Sequence, residues 1–295
     1  MTFLNDTLKA FDEQSLKSFT FIINPEYTAS SNICNKLIYQ NSFSLSKDKK
    51  MIERAIILAA GLGSRLKPMT DHAPKCLTEV NGTPILKQIL YNLHANGINE
   101  GIIVTGYLSD VIHSTIGSSY ENVMLQYVHN DVYMKTNNIY SLWLARKALE
   151  GGAILIESDV FFRANTLKNA LNTMGNKSFY IAGRYDGREN EILIKTDRGL
   201  KIKSIDILYN KSGKTGNFHY MSSGLLVIQK DYGMLFSSWL DDFIKKDRVD
   251  VLFDAALSEN INVFPLHVYP IDHLEWVEID TISDLARAEK VFQRI

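Results

Sequence analysis

Two cationic residues, Arg65 and Lys75, follow a run of small residues in this chain and could bind a chain of phosphates. The apolar stretch 55–58 predicts a buried strand, and the small residues of 59–63 come directly after it. Small residues let backbone N–H groups approach an anion closely. A guanidinium can contact a phosphate through two hydrogen bonds, and an ammonium adds a point charge. The sequence therefore predicts a triphosphate site after this strand, with Arg65 and Lys75 as its catalytic cations.

The spacing within this loop excludes the commonest phosphate-binding motifs. A P-loop needs Gly-x-x-x-x-Gly-Lys-Ser/Thr, and this run does not occur in the chain. A Rossmann fingerprint needs a third glycine at the position of Leu66. Gly-x-Gly alone is equally typical of an ordinary turn between a strand and a helix. The residues predicted to bind the nucleotide lie in this loop and at the end of a later strand, which we expect to border the base: Leu58, Ala59, Ala60, Gly61, Gly63, Ser64, Thr105, Gly106 and Tyr107.

Three acidic residues near predicted strand ends could hold a metal ion. Asp159 follows the apolar run 153–156, and Asp280 lies between a short strand and the last helix. Glu278 is two residues before Asp280, so both side chains can face the same side, and it is a second choice of ligand. Chemistry at a phosphate concentrates negative charge, which Mg²⁺ held by carboxylates relieves. The alternatives are that Asp280 caps the last helix and that Asp159 stabilises a turn.

Strand-like and helix-like stretches alternate from residue 51 onward, with strands predicted at 55–58, 102–105 and 153–156. This alternation predicts an α/β fold with a mostly parallel sheet and helices on both faces. Short strand-like runs separated by turns at 178–229 predict a smaller antiparallel region. Helical patterns are predicted at 84–96, 138–149, 166–173, 231–246 and 248–259, and a final strand–helix unit at 276–293.

Residues 1–50 precede the phosphate-binding pattern and are predicted to be an N-terminal extension of unknown role. They contain a helix-like stretch at 4–16, a strand-like run at 19–23 and a polar stretch at 44–50 that is typical of a linker. The remaining residues, 51–295, are predicted to form one domain.

The composition of the chain is that of an ordinary globular protein. Of its 295 residues 45% are hydrophobic and 22% charged, and the net charge is −1, which does not favour nucleic acid as a partner. No apolar run approaches the ~20 residues of a membrane span, so we expect no membrane partner and a cytoplasmic location. The two cysteines, Cys34 and Cys76, form no disulfide framework. Cys76 is next to Lys75 and could be an activated thiol, but a packing role is favoured.

The loop sequence Leu-Ala-Ala-Gly-Leu-Gly-Ser-Arg-Leu, with the later Pro-Lys, resembles the signature of nucleotidyltransferases that activate sugar phosphates and alcohol phosphates. The run 136–142 and the ending 275–281 resemble bacterial CTP:phosphocholine cytidylyltransferases and, equally, the cytidylyltransferases acting on phosphonates such as 2-aminoethylphosphonate. The resemblance covers residues 52–295. It implies a Rossmann-like three-layer nucleotidyltransferase fold, transfer of CMP from CTP to a small phosphate or phosphonate acceptor with release of pyrophosphate, and Mg²⁺ held by Asp159 and Asp280.

The acceptor of such a reaction already carries an anionic oxygen, so no general base is needed. We expect its far end to be a small cation, which aromatic faces and carboxylates bind. The candidate substrate contacts are Asn137, Tyr140, Ser141, Tyr185, Glu191 and Trp276, although Tyr140 and Trp276 could equally be core residues. Two other functions stay open: a sugar-1-phosphate nucleotidylyltransferase using UTP or dTTP, and a nucleotide-binding regulator without turnover. A homodimer is also compatible with the sequence.

Overall fold

The computed structural model describes residues 52–187, 192–208 and 218–293 of the chain. The predicted extension 1–50, with its helix at 4–16 and strand at 19–23, lies outside the described residues, as does Glu191. Within the described ranges, no helix has the length and apolar character needed to cross a bilayer.

The described residues form strands β1–β14 and helices α1–α7. The strands are β1 (Arg54–Ala59), β2 (Glu79–Val80), β3 (Thr83–Pro84), β4 (Glu100–Thr105), β5 (Ser119–Tyr120), β6 (Val123–His129), β7 (Ala153–Glu157), β8 (Val160–Phe162), β9 (Phe179–Arg184), β10 (Ile192–Thr196), β11 (Ile202–Ile207), β12 (Tyr220–Ile228), β13 (His267–Ile271) and β14 (Trp276–Glu278). The helices are α1 (Ile85–Ala95), α2 (Ser109–Ile116), α3 (Asn138–Leu144), α4 (Ala164–Met174), α5 (Lys230–Lys245), α6 (Asp254–Glu259) and α7 (Ile282–Val291).

The main sheet is mixed, with a parallel centre and an antiparallel side. Strands β7, β1, β4 and β6 are neighbours in this order, and each adjacent pair is parallel. Strand β12 runs antiparallel to β7, β9 and β10, and β10 pairs antiparallel with β11. The predicted α/β fold with a mostly parallel sheet and a smaller antiparallel region is thereby confirmed. The three strands predicted from apolar runs are present and extend one or two residues further.

Both faces of the sheet are covered, which makes the fold three-layered. Successive strand residues point to opposite faces, so Ile57 packs in one core cluster and its neighbour Ile56 in the other. The first cluster takes buried residues from α1, α4 and α7, and the second from α3, α5 and α6. Burial on both faces explains why the central strands are continuous apolar runs rather than alternating ones.

The helix predicted at 248–259 is wrong in its first half, since α6 begins only at Asp254. The backbone before it is used elsewhere: Val249 O accepts a hydrogen bond from Asn137 N, and Phe253 N donates to Asn138 Oδ1. These residues therefore hold the start of α3 instead of continuing a helix. The helix predicted at 138–149 is also shorter, because α3 ends at Leu144 and a 3₁₀ helix, Arg146–Gly151, follows.

The carboxyl ends of β1, β4 and β7 meet at one edge of the sheet. Leu58 lies opposite Glu157, and Ala59 opposite Thr105. The loops that follow these three strands are consequently brought together, as expected for a ligand site in a sheet of this type.

Candidate active site

The loop after β1 bends tightly at Gly63 and packs against the segment that carries Lys75. Gly63 has a φ of 63°, in the left-handed region that favours glycine. A Cβ at this position would lie 2.8 Å from Lys75 Cβ, closer than a side chain tolerates. The Thr70 hydroxyl donates a 2.9 Å hydrogen bond to Gly63 O and fixes the bend. Glycine at this position is therefore what allows Lys75 to approach the loop.

The acidic residues come together because β8 pairs with β14. Glu278 lies opposite Val160 in this antiparallel pair, and Ile279 N donates a 2.9 Å hydrogen bond to Asp159 O. One carboxylate oxygen from each of Asp159, Glu278 and Asp280 lies within 4.8 Å of the others. These three residues are called the carboxylate group below.

Asp280 does not cap the last helix. The N-cap of α7 is Thr281, which forms a capping box with Asp284. The Asp280 side chain is thus available to the carboxylate group, and the alternative that it serves as a helix cap is wrong.

Lys75 and Arg65 both contact the carboxylate group. Lys75 Nζ lies 2.6 Å from Asp159 Oδ2 and 2.5 Å from Asp280 Oδ1, and its side chain is only 14% exposed. Arg65 Nη2 lies 2.9 Å from Asp280 Oδ1, but its side chain is 55% exposed. The two predicted cations therefore share Asp280, one from the buried side and one from the solvent side.

The charged side chains of this site shift one another's pKa values. Burial by itself lowers the pKa of Lys75, but the negative charges of Asp159 and Asp280 outweigh it and raise that pKa above its usual value. Burial, together with the charges of Asp159 and Asp280, raises the pKa of Glu278. Burial and the charge of Asp159 likewise raise the pKa of Glu157, at the end of β7. The site thus concentrates negative charge in a poorly solvated place, which favours binding of a cation.

The carboxylate group fits a hard divalent cation. Its donors are all carboxylate oxygens, the ligand type that Mg²⁺ prefers. Asp159 Oδ1 is buried and has no hydrogen-bond partner among the described residues, so one ligand atom is available. The three residues that the sequence marked as metal ligands are therefore brought to one point.

A cavity of about 700 Å³ opens over the loop, the two cations and the carboxylate group. Most of the predicted site residues line it: Leu58, Ala59, Ala60, Gly61, Gly63, Ser64, Arg65, Lys75, Asn137, Ser141, Asp159, Tyr185, Glu278 and Asp280. Asn137 also caps α3, since its side chain accepts a hydrogen bond from Asn138 N. The cavity is large enough for a nucleotide together with a small second substrate.

Three residues predicted to border the base support the loop instead of lining the cavity. Tyr107 OH donates hydrogen bonds to Thr70 O at 3.0 Å and to Asp71 O at 3.1 Å. A Cβ at Gly106 would lie 2.8 Å from Ala60 O. Thr105 is completely buried. Thr105, Gly106 and Tyr107 therefore lie behind the loop that follows β1 and are not among the residues that line the cavity.

Two aromatic candidates for acceptor binding also lie away from the cavity. Trp276 is a core residue, 5% exposed, and its ring covers Gly183 so closely that a Cβ there would lie 2.9 Å from it. Tyr140 packs on Trp143, with ring centroids 5.3 Å apart. Both side chains pack against other residues and are not among those that line the cavity, whereas Tyr185 is part of the cavity wall.

Eight polar residues that line the cavity were not predicted from the sequence: Asn130, Tyr133, Thr136, Asn138, Glu157, Ser158, Ser222 and Asp254. Asn130 follows β6, a strand that was not predicted, and its Nδ2 donates a 3.0 Å hydrogen bond to Ser141 Oγ. Asn138 stands inside the run 136–142, and Glu157 directly follows a predicted strand. Their positions at the end of a strand or the start of a helix were the sequence feature from which they could have been predicted. Asp254 offered none, because it lay in a stretch predicted to be mid-helix.

Cys76 is a packing residue. It is 1% exposed, and burial raises the pKa of its thiol to about 12. A thiol that holds its proton so strongly is a poor nucleophile near neutral pH, so its proximity to Lys75 does not activate it.

Comparison with known proteins agrees with this geometry. Residues 54–196 match the family model described as nucleotidyl transferase. Residues 54–196 therefore form a nucleotidyl transferase domain. This domain begins at β1 and includes the loop 59–63, Arg65, Lys75 and Asp159.

Two relatives match most of the chain. A choline-phosphate cytidylyltransferase of Streptococcus pneumoniae is 29% identical over 241 residues, which cover 81% of this chain and 98% of that protein. A 2-aminoethylphosphonate cytidylyltransferase of Lancefieldella rimae is 29% identical over 234 residues, covering 79% and 90%. The solved CTP:phosphocholine cytidylyltransferase from S. pneumoniae superposes with a TM-score of 0.69 at 28% identity, covering 82% of this chain and all of that one. The nucleotidyl transferase described here is thus similar in fold and sequence to cytidylyltransferases.

Proposed function

We propose that this nucleotidyl transferase transfers CMP from CTP to a small phosphate or phosphonate acceptor, in the presence of Mg²⁺, and releases pyrophosphate. The observation that carries the proposal is the contact of Lys75 with Asp159 and Asp280 beside the loop that follows β1. This arrangement puts a cation, a metal-binding group and a phosphate-binding backbone in one cavity. The relatives support the choice of nucleotide and acceptor, since their names describe cytidylyl transfer to choline phosphate and to 2-aminoethylphosphonate.

Arg65 and the backbone of residues 61–63 hold the triphosphate. Gly61 and Gly63 line the cavity, and a Cβ at Gly61 would have no neighbour within 4 Å, so the backbone here is accessible to an anion. The largely exposed guanidinium of Arg65 can contact the β- and γ-phosphates as they leave as pyrophosphate. The phosphate-binding role of this loop therefore depends on its backbone and on one exposed side chain.

Lys75 stabilises the charge that develops on the α-phosphate. Its ammonium is fixed by two carboxylates and its pKa is raised, so it stays protonated throughout the physiological range. A charge positioned before the reaction stabilises the transition state more than the ground state. Lys75 is accordingly the catalytic residue on which turnover depends most.

Asp159, Glu278 and Asp280 would hold Mg²⁺. A bound Mg²⁺ neutralises negative charge on the phosphates and orients the two substrates relative to each other.

The acceptor attacks without a general base. Its phosphate or phosphonate oxygen is already anionic at neutral pH, forms the new bond to the α-phosphorus, and displaces pyrophosphate as the bond to the β-phosphate oxygen breaks. The task of the protein is therefore to position the acceptor and to compensate charge. This agrees with the cavity lining, where the described residues include no histidine.

The deciding experiment is pyrophosphate release with each of CTP, UTP, dTTP and GTP in Mg²⁺ buffer. Each nucleotide is paired with phosphocholine, phosphoethanolamine, 2-aminoethylphosphonate and a hexose 1-phosphate. We expect turnover with CTP and one of the first three acceptors. Turnover confined to UTP or dTTP with the hexose 1-phosphate would replace the proposal by sugar activation.

A further inference from the structure

The cavity continues beyond the carboxylate group along the end of β7, where Glu157 lies two residues before Asp159. Glu157 Oε1 accepts a 2.9 Å hydrogen bond from Asn138 Nδ2. The cations lining the described part of the cavity are Arg65 and Lys75, and both are engaged with the carboxylate group. Within the described residues Glu157 forms no salt bridge, so its partner in the cavity wall is a neutral amide.

The side-chain amide of Asn138 connects two segments at this end of the cavity. While its Nδ2 donates to Glu157, its Oδ1 accepts a 2.8 Å hydrogen bond from Phe253 N. Phe253 immediately precedes Asp254, which lines the same cavity and whose negative charge acts on Glu157. One amide therefore fixes the Glu157 carboxylate and brings a second carboxyl group near it.

Glu157 packs closely against a glycine, and the wall of the same cavity includes apolar and aromatic residues. Gly224, with a φ of 74°, stands beside it, and a Cβ there would lie 3.2 Å from Glu157 Oε2. The cavity wall also includes the apolar or aromatic residues Tyr185, Ile192, Leu208 and Leu252. A cavity lined by a carboxylate and by aromatic and aliphatic side chains suits an alkylammonium group, whose charge is surrounded by carbon.

We propose that Glu157 is the specificity-determining residue of the acceptor site, binding the ammonium end of an acceptor whose phosphate or phosphonate lies at the carboxylate group. This inference rests on the proposed function. Glu157 ends β7 and Asp159 lies in the turn that follows. Two residues of backbone span at most about 7 Å, so a short linker between phosphorus and nitrogen reaches from Asp159 to Glu157. An acceptor with a neutral end lacks the charge-assisted hydrogen bond that an ammonium group would form with this side chain.

The first test uses the full-length wild-type chain and two phosphonates of nearly equal size. 2-Aminoethylphosphonate carries an ammonium group where n-propylphosphonate carries a methyl group. We expect kcat/KM with CTP to be at least tenfold higher for the ammonium compound. Equal use of the two phosphonates would overturn the inference without any variant being made.

The second test is Glu157→Gln, which keeps the size of the side chain and an oxygen that accepts from Asn138. We expect the KM for 2-aminoethylphosphonate to rise at least tenfold, the KM for CTP to stay within about twofold, and the preference over n-propylphosphonate to disappear. The matched control is Glu100→Gln, since Glu100 is paired with Arg54 outside the cavity. A variant that folds and keeps the preference would contradict the assignment to Glu157.

Calorimetry separates this inference from the proposed function. The two phosphonates are titrated into the wild-type protein in Mg²⁺ buffer without nucleotide. Tighter binding of the ammonium compound without any turnover of CTP would overturn the proposed function and support the ammonium site. Turnover of CTP with no discrimination between the phosphonates, in binding or in kcat/KM, would overturn the ammonium site and support the proposed function.

Discussion

Lys75 Nζ lies 2.6 Å from Asp159 Oδ2, one of the three carboxylates that could hold a metal ion. The same ammonium is 2.5 Å from Asp280 Oδ1, so it contacts two of the three predicted metal ligands. We therefore expect Lys75 and a divalent cation to compete for these carboxylates.

Lys75→Ala should strengthen metal binding in the absence of nucleotide. Removing the ammonium leaves Asp159 without its cationic partner and Asp280 with only the exposed Arg65, so we expect roughly tenfold tighter binding of Mn²⁺ used as a paramagnetic probe. Electron paramagnetic resonance of free Mn²⁺ measures the Kd. The control is Lys67→Ala, because Lys67 is 60% exposed and pairs with Asp71. Unchanged or weaker Mn²⁺ binding in Lys75→Ala would show that the two cations do not compete.

The same Lys75→Ala change should lower kcat by about two orders of magnitude or more. The change removes the ammonium at the place where charge develops on the α-phosphate. Loss of one donor to a transition state commonly lowers kcat by this much. The Kd for CTP should change much less, because Arg65 and the loop backbone still hold the triphosphate. Single-turnover kinetics with CTP and an equilibrium titration measure the two quantities. A near-normal kcat would remove Lys75 from the mechanism.

Asp159→Asn and Asp280→Asn should each raise the Mg²⁺ concentration needed for half-maximal activity. An amide is a weaker ligand for Mg²⁺ than a carboxylate and carries no charge. In the wild-type protein a chelator should abolish pyrophosphate release, and added Mg²⁺ should restore it. Asp231→Asn, on the exposed start of α5, is the control. Pyrophosphate release that persists in the chelator would contradict the metal assignment.

Cys76 should resist thiol reagents in the native state, even at mildly alkaline pH. Burial raises the pKa of its thiol to about 12, whereas an unfolded cysteine titrates near 8.5, so between these values only the unfolded chain forms thiolate. The protonated thiol of Cys76 therefore stabilises the folded state relative to the unfolded chain below about pH 8.5. This stabilisation is lost as the pH rises towards 12. Labelling is followed in a Cys34→Ser chain between pH 7 and 9, with and without denaturant. Rapid labelling of the native protein at pH 8 would contradict the buried assignment.

A chain that starts at Met51 should fold and keep its chemistry. The described residues from 52 onward contain both core clusters and the residues of the carboxylate group. The measurements are soluble yield and pyrophosphate release relative to the full-length chain. The opposing expectation is that residues 19–23 cover apolar surface or a sheet edge, in which case the shortened chain would aggregate or lose activity.

Features that depend on neighbours in the chain could be predicted from the sequence. The strand 55–58, the small residues after it and the cation at 65 form one continuous segment, and their order predicts a phosphate-binding loop. Asp159 and Asp280 could be predicted for a similar reason, since each directly follows a strand-like run, and such ends meet at one edge of a parallel sheet.

Only the tertiary structure decided which side chains line the acceptor end of the cavity. Trp276 looked like a ligand contact but is buried over Gly183, a residue more than ninety positions earlier. Asn138 and Phe253 are 115 residues apart, and their hydrogen bond shortens the predicted helix and positions the carboxyl groups of Glu157 and Asp254. The amino-acid sequence determined the two cations and the three carboxylates of the candidate site, because each of them lies in a local pattern. Packing between distant segments decided the surroundings of Glu157 and Asp254, because burial and hydrogen bonding between distant segments leave no local pattern in the chain.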